Sequence, residues 1–81
     1  MAYLEFLWLE SVLEKLDDRG LSTEDVEEVI RHPVAQDYSQ STGRPVAFGY
    51  TSDDRYFMAV YETIDEFTVQ PFSAYVVPEP R

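Results

Sequence analysis

Residues 8–30, WLESVLEKLDDRGLSTEDVEEVI, predict a compact hairpin of two helices. The first helix is indicated by apolar residues at offsets of three, four and seven, a spacing that places their side chains on one helical face. Gly20 fits the left-handed residue that ends a helix. Ser22 fits the N-cap of the next helix, because its hydroxyl can accept a hydrogen bond from the amide of Asp25. The apolar residues of the first helix are Leu9, Val12, Leu13 and Leu16.

The second helix is predicted to run from Thr23 to about Arg31. Its first turn is acidic, and Arg31 and His32 close it, an order of charges that suits the helix dipole. Pro33 then ends the helix, because it cannot continue the backbone hydrogen bonding. The predicted buried residues of this helix are Val26, Val29 and Ile30.

After residue 34 the sequence becomes rich in β-branched and aromatic residues separated by turn clusters, a composition typical of strands. The third of four such segments has almost no polar residue on either face, which predicts a central strand. Pro45 and Pro71 cannot donate to a strand ladder and therefore indicate strand edges or bulges. The four segments are VAQDYS (34–39), RPVAFGYT (44–51), RYFMAVYETI (55–64) and FTVQPFSAYVV (67–77).

These elements predict an α+β fold in which an N-terminal helical hairpin packs on one face of a three- or four-stranded antiparallel sheet. The strands should be antiparallel because their connections are short. Residues 3–7 fit either a short edge strand or an early helical turn. We expect one domain over residues 1–77, followed by a short flexible tail at 78–81.

The chain has sixteen acidic and six basic residues among 81, which gives a net charge of -10. This charge repels a phosphate backbone and so argues against nonspecific binding of nucleic acid. It suits a basic partner, or simply a solvated acidic surface with no partner implied. The aromatic content, which includes six tyrosines and five phenylalanines, argues against disorder.

Several classes of site are excluded by composition and spacing. The absence of cysteine excludes disulfides, thiolate nucleophiles and cysteine-based zinc sites. No calcium loop, histidine–carboxylate spacing or phosphate-binding glycine run is present, so we predict no metal and no cofactor. The apolar N-terminus has no basic leading segment, and no stretch approaches the length that spans a bilayer. We therefore expect a cytoplasmic protein that does not bind membranes.

Four of the six basic residues are candidates for a phosphate-binding site. Lys15 and Arg19 are four residues apart on the first helix and share a face. Arg44 and Arg55 each open a predicted strand. If the sheet face that bears these arginines meets the exposed edge of the helix, the four cations could line one groove. The alternative is that they are solvated residues at the ends of elements.

Two other residue types could carry chemistry. His32 is the only imidazole, but its position at a helix C-terminus is common for a histidine that only complements the dipole. Tyrosines near the C-terminal half could stack bases or supply hydroxyl groups. At alternating strand positions, however, such residues are more often core or cross-strand pairs. The tyrosines concerned are Tyr50, Tyr56, Tyr61 and Tyr75.

The order of short motifs along nearly the whole chain resembles that of the BrnT-like toxins and their uncharacterised relatives. The resemblance is carried by Trp8, Glu14-Lys15-Leu16, Arg19-Gly20-Leu21-Ser22, EDVEEVI, Gly43-Arg44, Phe48-Gly49-Tyr50-Thr51, Asp54-Arg55 and Phe72-Ser73-Ala74.

This resemblance implies a small RelE-like ribonuclease fold. Such proteins are typically toxins of type II toxin–antitoxin pairs that cleave RNA without a metal and are silenced by a cognate antitoxin. It further implies that Arg44 and Arg55 would stabilise developing charge as the 2′-hydroxyl attacks the adjacent phosphate, while Lys15 or Arg19 would bind the backbone or assist proton transfer. The family usually carries histidine where Lys15 and Arg19 stand.

The chain departs from the family pattern at the C-terminal strand. The family motif is Ser-Ala-Arg, whereas this chain has Ser73-Ala74-Tyr75, so one phosphate-binding cation is missing. This change and the acidic charge predict a weakened or lost ribonuclease activity. The alternative prediction is a noncatalytic acidic module that binds proteins or mimics DNA. Expected partners are an antitoxin protein, RNA if the protein is active, and a second copy of the chain.

Overall fold

The computed structural model describes residues 4–79 as two helices and a five-stranded mixed sheet. The elements are β1 (Glu5–Phe6), α1 (Glu10–Asp18), α2 (Thr23–Arg31), β2 (Ala35–Tyr38), β3 (Pro45–Tyr50), β4 (Tyr56–Thr63) and β5 (Thr68–Val76). The strands lie side by side in the order β1-β5-β4-β3-β2. The predicted α+β class is therefore confirmed.

The predicted helical hairpin is present, and α1 ends and α2 begins at the predicted turn. Gly20 has a φ of +68°, which a residue without a side chain adopts without strain. The amide of Leu21 donates to the carbonyl of Leu16 at 2.9 Å and closes α1. The hydroxyl of Ser22 accepts from the amide of Asp25 at 3.2 Å and caps α2. Local capping chemistry thus fixes the reversal between the two helices.

The apolar stripe of α1 is narrower than the sequence predicted. Val12 and Leu16 are buried, but Leu9 and Leu13 keep 43% and 38% of their surface exposed. The helix packs along β5 at one side of the sheet. Because this contact is one-sided, only a narrow stripe of the helix reaches the core.

The N-terminal segment forms a strand, which was one of the two possibilities for residues 3–7. β1 runs parallel to β5, with Glu5 opposite Thr68 and Phe6 opposite Val69. The prediction of a three- or four-stranded, wholly antiparallel sheet was therefore wrong. A two-residue strand is too short to carry a periodic signal, and its partner lies at the other end of the chain.

The other four strands form an antiparallel meander, and β4 is the middle strand of the whole sheet, which matches the central strand predicted for this segment. Pro45 is the first residue of β3, where a missing amide donor does no harm. A bulge interrupts β5, because Val60 pairs with Ser73 whereas Tyr61 pairs with Pro71. Both prolines therefore occupy the edge or bulge positions that the sequence indicated.

The two chain ends extend beyond the elements. Pro78 and Glu79 follow β5 without regular secondary structure. Tyr3, Pro80 and Arg81, which the sequence placed in the first segment and in the tail, lie outside the described residues.

Both helices pack on the same face of the sheet, which we call the covered face. Small side chains let α2 approach closely: a Cβ atom built on Gly49 would lie 2.8 Å from Cγ2 of Val29. We call the opposite sheet face the open face, because no helix within residues 4–79 lies on it. The core of the covered face consists of Leu16, Leu21, Val26, Val29, Ile30, Ala47, Phe57, Ala59, Val69 and Ala74.

Candidate functional site

Arg55 follows the β3–β4 turn and reaches the loop between the helices. Its Nη2 donates to the carbonyl of Gly20 at 2.8 Å, and its Nε donates to the Asp53 carboxylate at 3.1 Å. A carboxylate neighbour and a backbone carbonyl therefore already occupy two donor directions of this guanidinium group. This bonding joins the turn to the helical hairpin.

Arg19, directly after α1, reaches the edge of β5 that β1 leaves uncovered. Its Nη1 donates to the Ser73 hydroxyl and to the Ala74 carbonyl, both at 3.1 Å. Its guanidinium carbon lies 5.7 Å from the centre of the Tyr75 ring, within the range of a cation–π contact. Because exposed edge groups invite pairing with another strand, Arg19 protects this edge.

The four predicted cations do not share one groove. Arg19 and Arg55 lie around the loop at Gly20, and Lys15 is exposed on α1 one turn before Arg19. Arg44, in contrast, precedes β3 at the opposite end of the sheet, six residues or about 20 Å of strand away from Tyr50. Consecutive antiparallel strands begin at opposite ends of the sheet, so the condition under which the four cations could line one groove is not met. The catalytic roles of the four residues stay a prediction.

The turn before Arg55 is held by its own polar groups. The buried Thr51 hydroxyl donates to the Asp53 carboxylate and accepts from the amide of Arg55. Hydrogen bonds from Thr51 and Arg55 hold the pKa of Asp53 below its usual value. Asp54 has a φ of +67°, a left-handed conformation that aspartate adopts more readily than most residues. The polar groups of this turn thus hydrogen-bond to one another.

The open face carries a continuous group of apolar and aromatic side chains. Strand register identifies them, because residues that lie opposite each other across an antiparallel pair point to the same face. Val46 pairs with Val60, Phe48 with Met58, and Tyr50 with Tyr56. β5 adds Ser73 opposite Val60 and Tyr75 opposite Met58.

Aromatic contacts organise this face. The rings of Phe48 and Tyr56 are stacked with centroids 6.0 Å apart, and Tyr50 meets Tyr56 at 5.1 Å. Tyr50 and Tyr75 keep 40% and 39% of their surface exposed. Partial burial and the nearby Glu79 carboxylate raise the pKa of the Tyr50 hydroxyl. The outer rings are therefore fixed in place and accessible.

Charged groups surround the apolar centre of the open face. The guanidinium of Arg44 lies 4.1 Å from the centre of the Phe72 ring at one end. Asp37 is paired with Val46, and Glu62 follows Val60 by two residues, so both carboxylates belong to this face. An apolar centre with a polar rim is the usual anatomy of a protein interface.

The sequence did not single out this face as a site. The tyrosines were predicted to be mainly core residues or cross-strand pairs, which is correct for Tyr56, a buried residue, and for Tyr50, its cross-strand partner. The sequence does contain a signal for an uncovered apolar face. β4 is apolar on both of its faces, whereas two short helices can cover only one face of the sheet. Phe48, Met58 and Phe72 are the residues that this signal would have added.

A groove of about 730 Å³ lies between the end of β2 and the end of β4, and its lining includes Asp37, Val46 and Glu62 of the open-face register. Tyr38, Pro45 and Tyr61 form its apolar wall, with Gln36 and Thr63 beside them. Burial, and to a smaller extent Tyr38, raise the pKa of the Tyr61 hydroxyl. At neutral pH the Tyr61 phenol stays protonated and can donate a hydrogen bond.

Comparison of the chain with models of known protein families gives no match, and comparison with curated proteins gives none either. Neither helix within residues 4–79 is long and apolar enough to cross a membrane.

Proposed function

We propose that this chain is a noncatalytic protein-binding module built on a BrnT-like scaffold. The proposal rests on the hydrogen bonds and ring contacts that three arginines make within the fold. Arg19 and Arg55 are bonded to carbonyl, hydroxyl and carboxylate groups of the fold, and Arg44 lies on the ring of Phe72. A phosphoryl-transfer site needs donors aimed at the position where charge develops, and these donors are aimed at the protein itself.

A weakened ribonuclease of a toxin–antitoxin pair is the second candidate. The observation that favours it is that Lys15, Arg19 and Arg55 lie at one end of the molecule. In that case Arg55 would stabilise the phosphate as the 2′-hydroxyl attacks, Lys15 or Arg19 would hold the RNA backbone, and an antitoxin would cover the site. The candidate lacks a cation at Tyr75, where the family has arginine, and Arg44 lies too far away to replace it.

Expression in bacteria separates the two candidates. Growth and total RNA integrity are followed for the wild-type chain and for an Arg44→Ala/Arg55→Ala variant, beside an active ribonuclease toxin as the positive control. The module proposal predicts normal growth and intact RNA for both chains, with circular dichroism showing that each is folded. Growth arrest with RNA cleavage that the double variant abolishes would overturn the proposal and establish the ribonuclease.

A further inference from the structure

The open face has the composition of a buried interface although no helix of the described residues covers it. Its centre is formed by Phe48, Met58 and Val60, which are partly exposed, around Val46, which is itself buried; these side chains come from the two inner strands of the meander, β3 and β4. Tyr50 and Tyr75 stand beside this centre with about two fifths of their surface exposed. Tyrosines next to an apolar centre are among the residues that most often dominate binding energy.

The charged residues around the open face bear on which kind of partner it can bind. Asp37 and Glu62 lie on it, and Glu79 lies beside Tyr50. The two arginines at its borders face rings of the same chain, Arg44 on Phe72 and Arg19 on Tyr75. The rim thus carries three carboxylates and two arginines, and the chain as a whole has a net charge of -10. Such a rim attracts a cationic surface and steers its approach.

We propose that the open face binds a positively charged amphipathic helix of another protein. The proposal rests on the function proposed above and names its partner and surface. A helix is the expected form because a flat sheet face is completed by a helical layer, as α1 and α2 complete the covered face. Basic residues on that helix would meet Asp37, Glu62 and Glu79, while its apolar face would pack on Phe48 and Met58.

The same charge disfavours two other occupants. A second copy would have the same net charge of -10 and the same carboxylates on its open face, and like charges placed face to face cost binding energy. RNA could stack on the exposed tyrosines, but its phosphates would meet the carboxylate rim. Both are outcomes that the experiment detects.

The probe is a labelled amphipathic peptide of about 16 residues, with leucine on one face and lysine on the other. As a helix it is roughly 24 Å long, enough to cross four strands spaced about 4.8 Å apart. Binding is followed by fluorescence anisotropy. A Tyr50→Ala/Tyr75→Ala variant should weaken the affinity about tenfold or more, since each ring is expected to be an anchor.

Matched variants decide whether the effect belongs to the open face. Tyr38→Ala/Phe67→Ala removes two exposed rings elsewhere, at 70% and 55% exposure, and should change the affinity by less than about twofold. Glu62→Gln leaves every ring in place, so it keeps the test valid if the tyrosine variant fails to fold. It should weaken binding and reduce its dependence on salt.

Besides a failure of the peptide to bind, four results would overturn the proposal. They are equal binding of a peptide with glutamate in place of lysine, an equal loss in the Tyr38→Ala/Phe67→Ala variant, self-association that requires Tyr50 and Tyr75, and an oligouridine that displaces the peptide. Failure of peptide binding with intact RNA in the expression test rejects only this surface. RNA cleavage in that test rejects the proposed function itself.

Discussion

On the covered face of the sheet small residues lie where a helix packs, whereas on the open face large residues lie where no helix does. Gly49 sits directly beneath Val29 of α2, and three alanines lie on the same face, although its own cross-strand partner, Phe57, is large and fills the core. The open face instead presents stacked aromatic rings and a methionine. Small residues thus mark the places where the helices reach the covered face, whereas the open face carries larger side chains. The small residues are Ala47, Gly49, Ala59 and Ala74.

The largest expected effect compares two neighbours on β4 that point to opposite faces. Phe57 is fully buried on the covered face, so Phe57→Ala should cost about 3–5 kcal/mol of unfolding free energy. That is comparable to the whole stability of a domain this size, roughly 4–12 kcal/mol. Met58 is half-buried on the open face, so Met58→Ala should cost about 1–2 kcal/mol of unfolding free energy. Urea denaturation of both variants measures the difference, and equal losses would mean that the open face is packed like a core.

Gly49→Ala tests the close approach of α2. The added Cβ would lie 2.8 Å from Cγ2 of Val29, a buried atom that cannot move freely, so we expect a loss of about 1–3 kcal/mol. Adding Val29→Ala to this variant should recover part of the strain, and a double-mutant cycle by urea denaturation measures the coupling. Additive losses would show that the two residues do not contact each other.

Ser22→Ala weakens the helical layer without touching the sheet. Loss of the hydroxyl that caps α2 should cost about 1 kcal/mol. Ser11→Ala, at an exposed position inside α1, is the matched control and should stay within about 0.5 kcal/mol of wild type. Both are measured by urea denaturation. A larger loss of unfolding free energy in Ser11→Ala than in Ser22→Ala would contradict the stabilising role of the Ser22 cap.

The smallest expected effect concerns acid stability at the β3–β4 turn. Because the pKa of Asp53 is lowered in the folded protein, its carboxylate stabilises the fold above the unfolded pKa of about 3.9. That stabilisation is lost as the pH falls through the lower folded value. Asp53→Asn should therefore lose less stability than wild type as the pH falls below about 4. Urea midpoints across this range test the point, and identical curves for the two proteins would refute it.

Local chemistry made much of the fold predictable. The turn at Gly20, the cap at Ser22 and the stop at Pro33 act on their immediate neighbours, so α2 was placed correctly. The four strands of the meander were located to within one or two residues at each end. β1 was left open because its identity depends on Thr68 and Val69, more than sixty residues away.

The candidate site was harder to predict because it depends on packing. Arg44 and Arg55 both precede strands, yet the meander separates them by the length of β3. Arg19 was assigned to phosphate binding, whereas the end of α1 brings it to the free edge of β5. Which face is open depends on the side of the sheet on which the helices pack. Because β4 is apolar on both faces, its sequence does not predict that side.

The central claim is that the open face binds a cationic amphipathic helix, and amide NMR spectra of the wild-type protein titrated with the lysine–leucine peptide test it most directly. We predict that the largest shift changes fall on β3, β4 and β5, at Phe48, Met58 and Tyr75 among others. The helices carry several exposed carboxylates, such as Glu14 and Glu28, and so offer an alternative attraction for the peptide. Shift changes confined to α1 and α2 would contradict the account.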